Sequence, residues 1–330
     1  MTEGDKLRLR AEGYDFMDIT NHQDLGSIRR ALPPAQLPSA DDVNLVPGLA
    51  DYTQMQDDLG NLTSFWTRSY RSLWGARSSD WLYGYVGEIV KPADPSVNIT
   101  IRRFAHSFPQ KSLLVRLESA TDDPRLIIIG AHQDSLNYKL PFYRAPGADD
   151  DGSGTVALLQ ILRTLVRKSF TPPAGIAVEL HWYAAEEGGL LGSQDVAAEY
   201  EREGKEVIGM LQMDGEQLLS GIHGVEPKIG LFQDEVDKGL LDYVTGLVDA
   251  YLSVPWALTG CGKRCGSDHM SWTRAGYRAA YVCEGLFEEM GEGYHTVNDT
   301  IDLLEGEYSF EHLQRFVKLH DVLRVFGNSL

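Results

Sequence analysis

The sequence predicts an α/β fold: a three-layer sandwich whose mixed, mainly parallel sheet is covered by helices on both faces. Two patterns carry that expectation. Short, almost wholly apolar strands, of which 125–132 (RLIIIGAH) is the clearest, suit a sheet buried on both sides. Such strands alternate along the chain with longer amphipathic runs of helical period. With 330 residues, 43% hydrophobic and 24% charged, the chain suits one large or two modest domains.

Residues 1–47 stand apart from the rest. A charged segment from Asp5 to Glu12 leads into Gly13-Tyr14-Asp15-Phe16-Met17-Asp18-Ile19-Thr20. A dibasic pair, Arg29-Arg30, reads either as a processing site or as surface charge. The Pro-rich stretch from Ala31 to Pro38 resists regular structure and reads as a linker. The second region, 48–330, opens with helical patterns. Leu62, Phe65, Trp66, Tyr70 and Leu73 fall near helical spacing, and Ser79-Asp80-Trp81 starts another run to Ile89. Strands are expected at 112–117, 125–132, 176–185, 208–214 and 279–284. Helices are expected at 154–168, 189–203, 234–252 and 310–326.

Lys and Arg number 30 against 48 Asp and Glu, a net charge of −18, which argues against nucleic acid and anionic membranes as partners. No apolar run reaches the length of roughly 20 residues that spans a bilayer. Of three cysteines, Cys261 and Cys265 are close enough for a short-loop disulfide or are ordinary thiols, and no Cys-x-x-Cys pair suggests a structural zinc site. Asn61, Asn98 and Asn298 stand in glycosylation triplets and, with a possible disulfide, lean toward secretion. The opening Met1-Thr2-Glu3-Gly4-Asp5-Lys6 is not a signal peptide, so either the protein is cytosolic or a leader precedes this sequence, and secretion is the expectation taken forward.

The chemistry gathers at strand ends, where open α/β sheets place their ligands. Asp149-Asp150-Asp151 lies between glycines ahead of an apolar helix, and three adjacent like charges need a cation or a capping role. A calcium loop would require Glu where Gln160 stands. His132-Gln133-Asp134 ends one strand, Glu186-Glu187 another and Asp214 a third, while His295 lies beyond a fourth. Two histidines and several carboxylates form an N/O set suited to zinc. In His132-x-Asp134 both side chains share a strand face, so Asp134 is expected to accept a hydrogen bond from the second ring nitrogen of His132. Adjacent Glu186 and Glu187 point differently, leaving one for a metal and one for protons. A single carboxylate bridging two cations would explain the acidic turn.

In order, the chain carries 130–135 (GAHQDS), the acidic turn, 185–194 (AEEGGLLGSQ), Leu211-Gln212-Met213-Asp214, Cys261 to Cys265, Ser267-Asp268-His269 and His295-Thr296. This resembles the M28 family of co-catalytic zinc aminopeptidases over residues 48–330, and implies the zinc-exopeptidase fold and two Zn2+ ions. The resemblance implies His132 and Asp214 on one ion, Glu187 and His295 on the other, Asp150 as the bridge and Glu186 as general base. It places Asp134 and Asp151 behind the ligands, makes the Asp150–Asp151 peptide cis, and pairs Cys261 with Cys265. The stretch 16–20 (FMDIT) resembles the end of a fungal pro-segment, implying that 1–47 is an inhibitory or chaperoning propeptide. The expected partners are peptides with a free N-terminus and the chain's own pro-segment, and a monomer is expected.

The departures concern the substrate pocket. Lys263 stands where the family has Tyr, and Gly215 where it has Met; Cys283, Phe287, Met290 and Tyr294 complete the expected lining. A roomier, more polar pocket follows, with acidic first residues attracted by Lys263 as the working expectation. Related chemistries on the same fold, a carboxyl-end exopeptidase or a glutaminyl cyclase-like transferase, are the alternatives.

Overall fold

A computed structural model describes residues 2–28, 51–122, 124–215, 226–262, 265–289, 293–302 and 308–319. Its centre is a sheet of eight strands in the order β1-β2-β4-β3-β5-β8-β6-β7. β3 (Arg125–His132), β4 (Ile176–Tyr183), β5 (Val207–Met213) and β8 (Ala279–Cys283) form a continuous parallel block. On one side β2 (Ser112–Leu117) pairs antiparallel to β4, and β1 (Ile99–Phe104) pairs antiparallel to β2 at the sheet edge. On the other side β6 (Ile229–Phe232) runs antiparallel to β8 and parallel to β7 (Trp256–Thr259). The expected mixed, mainly parallel sheet is therefore present, and all of the predicted strands belong to it.

Both faces are covered because alternate residues of each strand point to opposite sides. Ile127 and Ile129 join Val178, Leu180 and Trp182 in one apolar layer, against α2 (Tyr52–Thr63), α3 (Leu73–Val90), α4 (Gly152–Arg167), α6 (Lys238–Tyr251) and α8 (Phe310–Leu319). Leu126, Ile128 and Ala177 face the opposite layer, built on α5 (Leu191–Glu203) and α7 (His269–Arg274). Among the described residues no helix is long and apolar enough to cross a membrane.

Three expectations are corrected. The helix expected over Leu62 to Leu73 does not exist: α2 ends at Thr63, and α3 starts at Leu73 on Ser72, whose side chain accepts from the Gly75 amide. The intervening 64–72 turns because Arg68 is buried with its guanidinium on main-chain carbonyls, a tertiary demand that overrides helical spacing. The short strands β1, β6 and β7 lacked a strong signal and were not anticipated. The charged start of the chain is a helix, α1 (Glu3–Ala11), closed by a capping box between Thr2 and Asp5. The last predicted helix is seen from Phe310 to Leu319, while 320–326, Arg29-Arg30 and the Pro-rich stretch fall outside the described residues.

Beneath the sheet, on the α5 side, Glu179 is a buried ionic hub. Its carboxylate meets His181 Nε2 at 2.8 Å, the Tyr200 hydroxyl at 2.8 Å and Arg116 Nε at 2.5 Å. Burial opposes its charge, but His181, Arg116 and Tyr200 outweigh burial and hold the carboxyl at about 2. A depressed folded-state value means stability present above the unfolded value and lost as pH falls toward 2. The difference corresponds to about 3 kcal/mol. Glu179→Gln is therefore expected to lower stability at neutral pH and to flatten its loss between about pH 4.5 and 2, as read by urea denaturation across that range.

Candidate metal centre

The site lies at the carboxyl ends of β3, β4, β5 and β8. Continuous apolar strands fix those ends, and the first polar residues beyond them converge. His132 closes β3; Asp214 follows β5; Glu186 and Glu187 follow β4 after a turn in which Ala185 takes φ +59°. His295, at φ +55°, enters from the loop beyond β8. Left-handed backbone at non-glycine residues is unfavourable and tends to occur at functional turns.

Asp150 sits between the two histidines, with one oxygen 3.0 Å from His132 Nε2 and the other 2.7 Å from His295 Nε2. Asp214 lies 3.5 Å from His132 Nε2, and Glu187 lies 3.7 Å from His295 Nε2. Ligand-type atoms form two sets, each within 4.8 Å: His132, Asp151 and Asp214, and Asp150, Glu187 and His295. Asp151 is the weaker member of the first set because both its oxygens are engaged. One accepts from the His132 amide at 2.9 Å and the other from the Gly154 amide at 2.9 Å, as N-cap of α4. The capping reading of the acidic turn thus fits Asp151, and the reading as a shared acid fits Asp150. The peptide between them is cis.

The donor set suits divalent cations on a second ground. Glu187 is 2% exposed, and among the described residues neither of its carboxylate oxygens has a hydrogen-bond partner. Burial, then the nearby Asp150 charge, push its carboxyl up to about 8. Burial works against the imidazolium of His295, but Glu187 and Asp150 outweigh it and hold the ring at about 9. Protons here do the neutralising that a bound cation would do. Burial likewise pushes the Glu186 carboxyl well above the usual carboxylate range.

Asp134 lies behind His132 as an ion-pair neighbour, not as the expected hydrogen-bond acceptor. Its carboxylate is 3.6 Å from His132 Nδ1, and the ring faces the Asp134 main-chain oxygen at 3.2 Å instead. The carboxylate accepts from the amides of Glu186 at 3.0 Å and Glu187 at 3.2 Å. Those two successive amides fix its direction across the turn, with Oδ1 between the Glu186 amide and the His132 ring.

Three positioning residues escaped the sequence reading. Asp299 accepts from the Asp149 amide at 2.8 Å and the Asp150 amide at 3.1 Å. Arg68 donates from Nε to Gln133 O at 2.8 Å, from Nη2 to Gly147 O at 2.8 Å, and from Nη1 to Pro146 O. Ser267 donates to Asp214 Oδ2 at 2.5 Å. Asp299 and Ser267 lay inside quoted motifs without any sign of their role, and Arg68 was hidden in a supposed helix.

A cleft of about 320 Å3 opens over the site, bounded by Asp150, Glu186, Asp214 and His295 and walled by Phe232, Tyr281, Phe287 and Tyr294. Phe287 and Tyr294 were expected in the lining; Phe232 and Tyr281, stacked at 4.3 Å, were not. Gly215, at φ +69°, directly follows Asp214, and its carbonyl accepts from the Glu284 amide. Cys283 is fully buried behind the pocket, packed with Phe232 and Tyr281. Cys261 and Cys265 are disulfide-bonded, and Cys265 lines the cleft. Lys263 and Met290 lie outside the described residues.

The same cleft is lined by Arg10, Gly13 and Asp15 from the N-terminal segment. Arg10 is 4% exposed; it pairs with Asp15 and donates to the Tyr138 hydroxyl at 2.8 Å.

The sequence model of peptidase family M28 matches residues 112–318. Leucine aminopeptidase 1 of Metarhizium robertsii is 39% identical over 321 residues, 94% of this chain and 81% of that protein. Its counterpart from Trichoderma harzianum is 40% identical over 324 residues, with the same shares. Among solved structures, the LapA aminopeptidase of Legionella pneumophila superposes with a TM-score of 0.74 at 26% identity, covering 94% of this chain and 75% of that one.

Asp299→Asn turns one acceptor into a donor facing a main-chain amide. It is expected to lower affinity for divalent zinc by about 10–100-fold while leaving the far-ultraviolet circular dichroism unchanged, as checked by metal titration of dialysed protein.

Proposed function

The chain belongs to peptidase family M28 and is a metallo-aminopeptidase; from that premise we propose a two-zinc exopeptidase that removes the first residue from peptides with a free N-terminus. The observation that carries the two-ion reading is the reach of Asp150 to both histidines, beside a Glu187 carboxylate with no hydrogen-bond partner among the described residues. His132 and Asp214 would hold one ion, Glu187 and His295 the other, and Asp150 would be shared. When bound, a zinc pair acidifies water and polarises a carbonyl.

The remaining work falls to the chain's own groups. Glu186 takes the proton of the attacking water and returns it to the leaving amine. Burial prepares it, since a carboxyl raised from its ordinary value is better matched to a proton that must be both accepted and released. Asp134 holds Glu186 and Glu187 on two amides, so the base and its ligand neighbour keep one spacing. The acidity of the cleft attracts the cationic amino terminus of a peptide. Aromatic walls, Phe232, Tyr281, Phe287 and Tyr294, favour an apolar first side chain; an acidic preference through Lys263 is the rival arm of the specificity test.

Residues 1–47 are proposed as a pro-segment and 48–330 as the catalytic domain. Support comes from Arg10, Gly13 and Asp15 lying in the cleft that a peptide would need. Secretion and glycosylation are proposed from the disulfide and the exposed Asn61, Asn98 and Asn298. A monomer without nucleic-acid or membrane partners completes the reading.

Metal analysis is expected to give two zinc ions per chain, and leucine p-nitroanilide to be cleaved while its N-acetyl form is not. Release of residues from the carboxyl end of peptides, or formation of pyroglutamate without hydrolysis, would refute the proposal. Asp150→Ala is expected to abolish two-ion binding, which competition with a chromogenic chelator measures. Across a panel of aminoacyl nitroanilides, Leu or Phe is expected to exceed Glu, and a Glu preference lost in Lys263→Ala would reverse the pocket assignment. Arg10→Ala in the full chain is expected to raise the unprocessed chain's activity toward that of proteolysed enzyme.

A further inference from the structure

Tyr138 belongs to the loop after β3, and its position in the cleft is over-determined. Its ring stacks on the imidazole of His295, with centroids 3.7 Å apart and planes 9° from parallel. Its amide donates to the His295 carbonyl at 3.1 Å. The phenol therefore lies one van der Waals layer from the ring whose Nε2 faces Asp150 at 2.7 Å. Among the described residues its hydroxyl is not engaged by the body of the protein. The partners found for it among the described residues both come from the N-terminal segment: Arg10 donates to it at 2.8 Å, and it donates to Asp15 at 3.1 Å.

Those partners have a distinct chemical pattern, one N–H donor and one anionic oxygen. Once the segment leaves, the hydroxyl keeps its place, because ring and main chain are held by His295, but it loses both bonds. A bound peptide offers the same pair, an amide N–H and a carbonyl oxygen that gains negative charge when attacked. We infer that Tyr138 is a catalytic residue whose hydroxyl donates to the carbonyl oxygen of the peptide's first bond, and that Arg10 and Asp15 occupy this donor in the covered enzyme. The inference rests on the aminopeptidase reading above. No covalent bond to Tyr138 is formed; its proton stays on the phenol, and the hydrogen bond strengthens as charge builds on the carbonyl oxygen.

Tyr138→Phe tests this without disturbing the stack on His295, since only the hydroxyl is removed and that hydroxyl bonds the departing segment. Full-length wild-type and variant chains are loaded with zinc, and their N-terminal segments are cut by limited proteolysis. Turnover of leucine p-nitroanilide is then measured alongside calorimetric binding of a phosphinic pseudodipeptide, whose tetrahedral oxygen mimics the attacked carbonyl. Equal zinc content, a kcat lower by on the order of 10²-fold and KM nearly unchanged are expected, with phosphinate affinity falling in parallel. Unchanged kcat and phosphinate affinity, a loss confined to KM, or a lowered zinc content that accounts for the lost turnover would overturn the role. Failure of the wild type itself to turn over substrate or bind phosphinate would instead defeat the aminopeptidase reading, and this inference with it.

Discussion

The centre depends on buried carboxylates that each grip main-chain amides. Asp134 holds the amides of Glu186 and Glu187, Asp299 those of Asp149 and Asp150, and Asp151 those of His132 and Gly154. A buried carboxylate is costly unless hydrogen-bonded, and amide pairs satisfy it with strong, directional bonds. Each grip joins chain segments distant in sequence. Together with Arg68 on the carbonyls of Gln133, Pro146 and Gly147, they fix four of the ligand-bearing segments against one another, and Ser267 holds the fifth through Asp214. His132, Asp150, Glu187, Asp214 and His295 can then converge despite their mutual repulsion, because the main chain beneath them has little freedom to retreat.

The N-terminal segment uses a different principle: many peripheral attachments and a short intrusion. Glu3 meets Arg71 at 2.8 Å, the Asp18 amide donates to Gly189 O at 3.0 Å, and His22 meets Asp195 at 2.6 Å. Glu201 accepts from the amides of Gly26 and Ile28, and Leu25 is buried in the α5-side core layer. These anchors flank the last turn of α1 and the segment after it, which carry Arg10 and Asp15 into the cleft. Individually, exposed pairs of this kind contribute little, so the cover holds through their number and through Leu25. Inside the cleft the cover bonds to Tyr138 through Arg10 and Asp15.

Much of the site was legible in the sequence because strand ends announce themselves. A continuous apolar run such as 125–132 fixes where its last residue emerges, so His132 and Asp214 could be placed without coordinates. Asp134 shows the boundary of that approach. Strand periodicity correctly put it on the face of His132, yet two amides of a neighbouring turn claimed its carboxylate. Residues 62–73 failed for a related reason: local spacing allowed a helix, but burying Arg68 over three carbonyls required a bend.

By itself the sequence determined the α/β class, the alternation of strand and helix, and the residue types available at each strand end, since all three follow from local pattern and from period 2 against period 3.6. The tertiary structure alone decided which carboxylates grip which main-chain amides, and which N-terminal residues reach into the cleft. Those outcomes depend on contacts between separate chain segments, such as Asp134 with Glu186, Asp299 with Asp149 and Arg10 with Tyr138, and no local spacing encodes them.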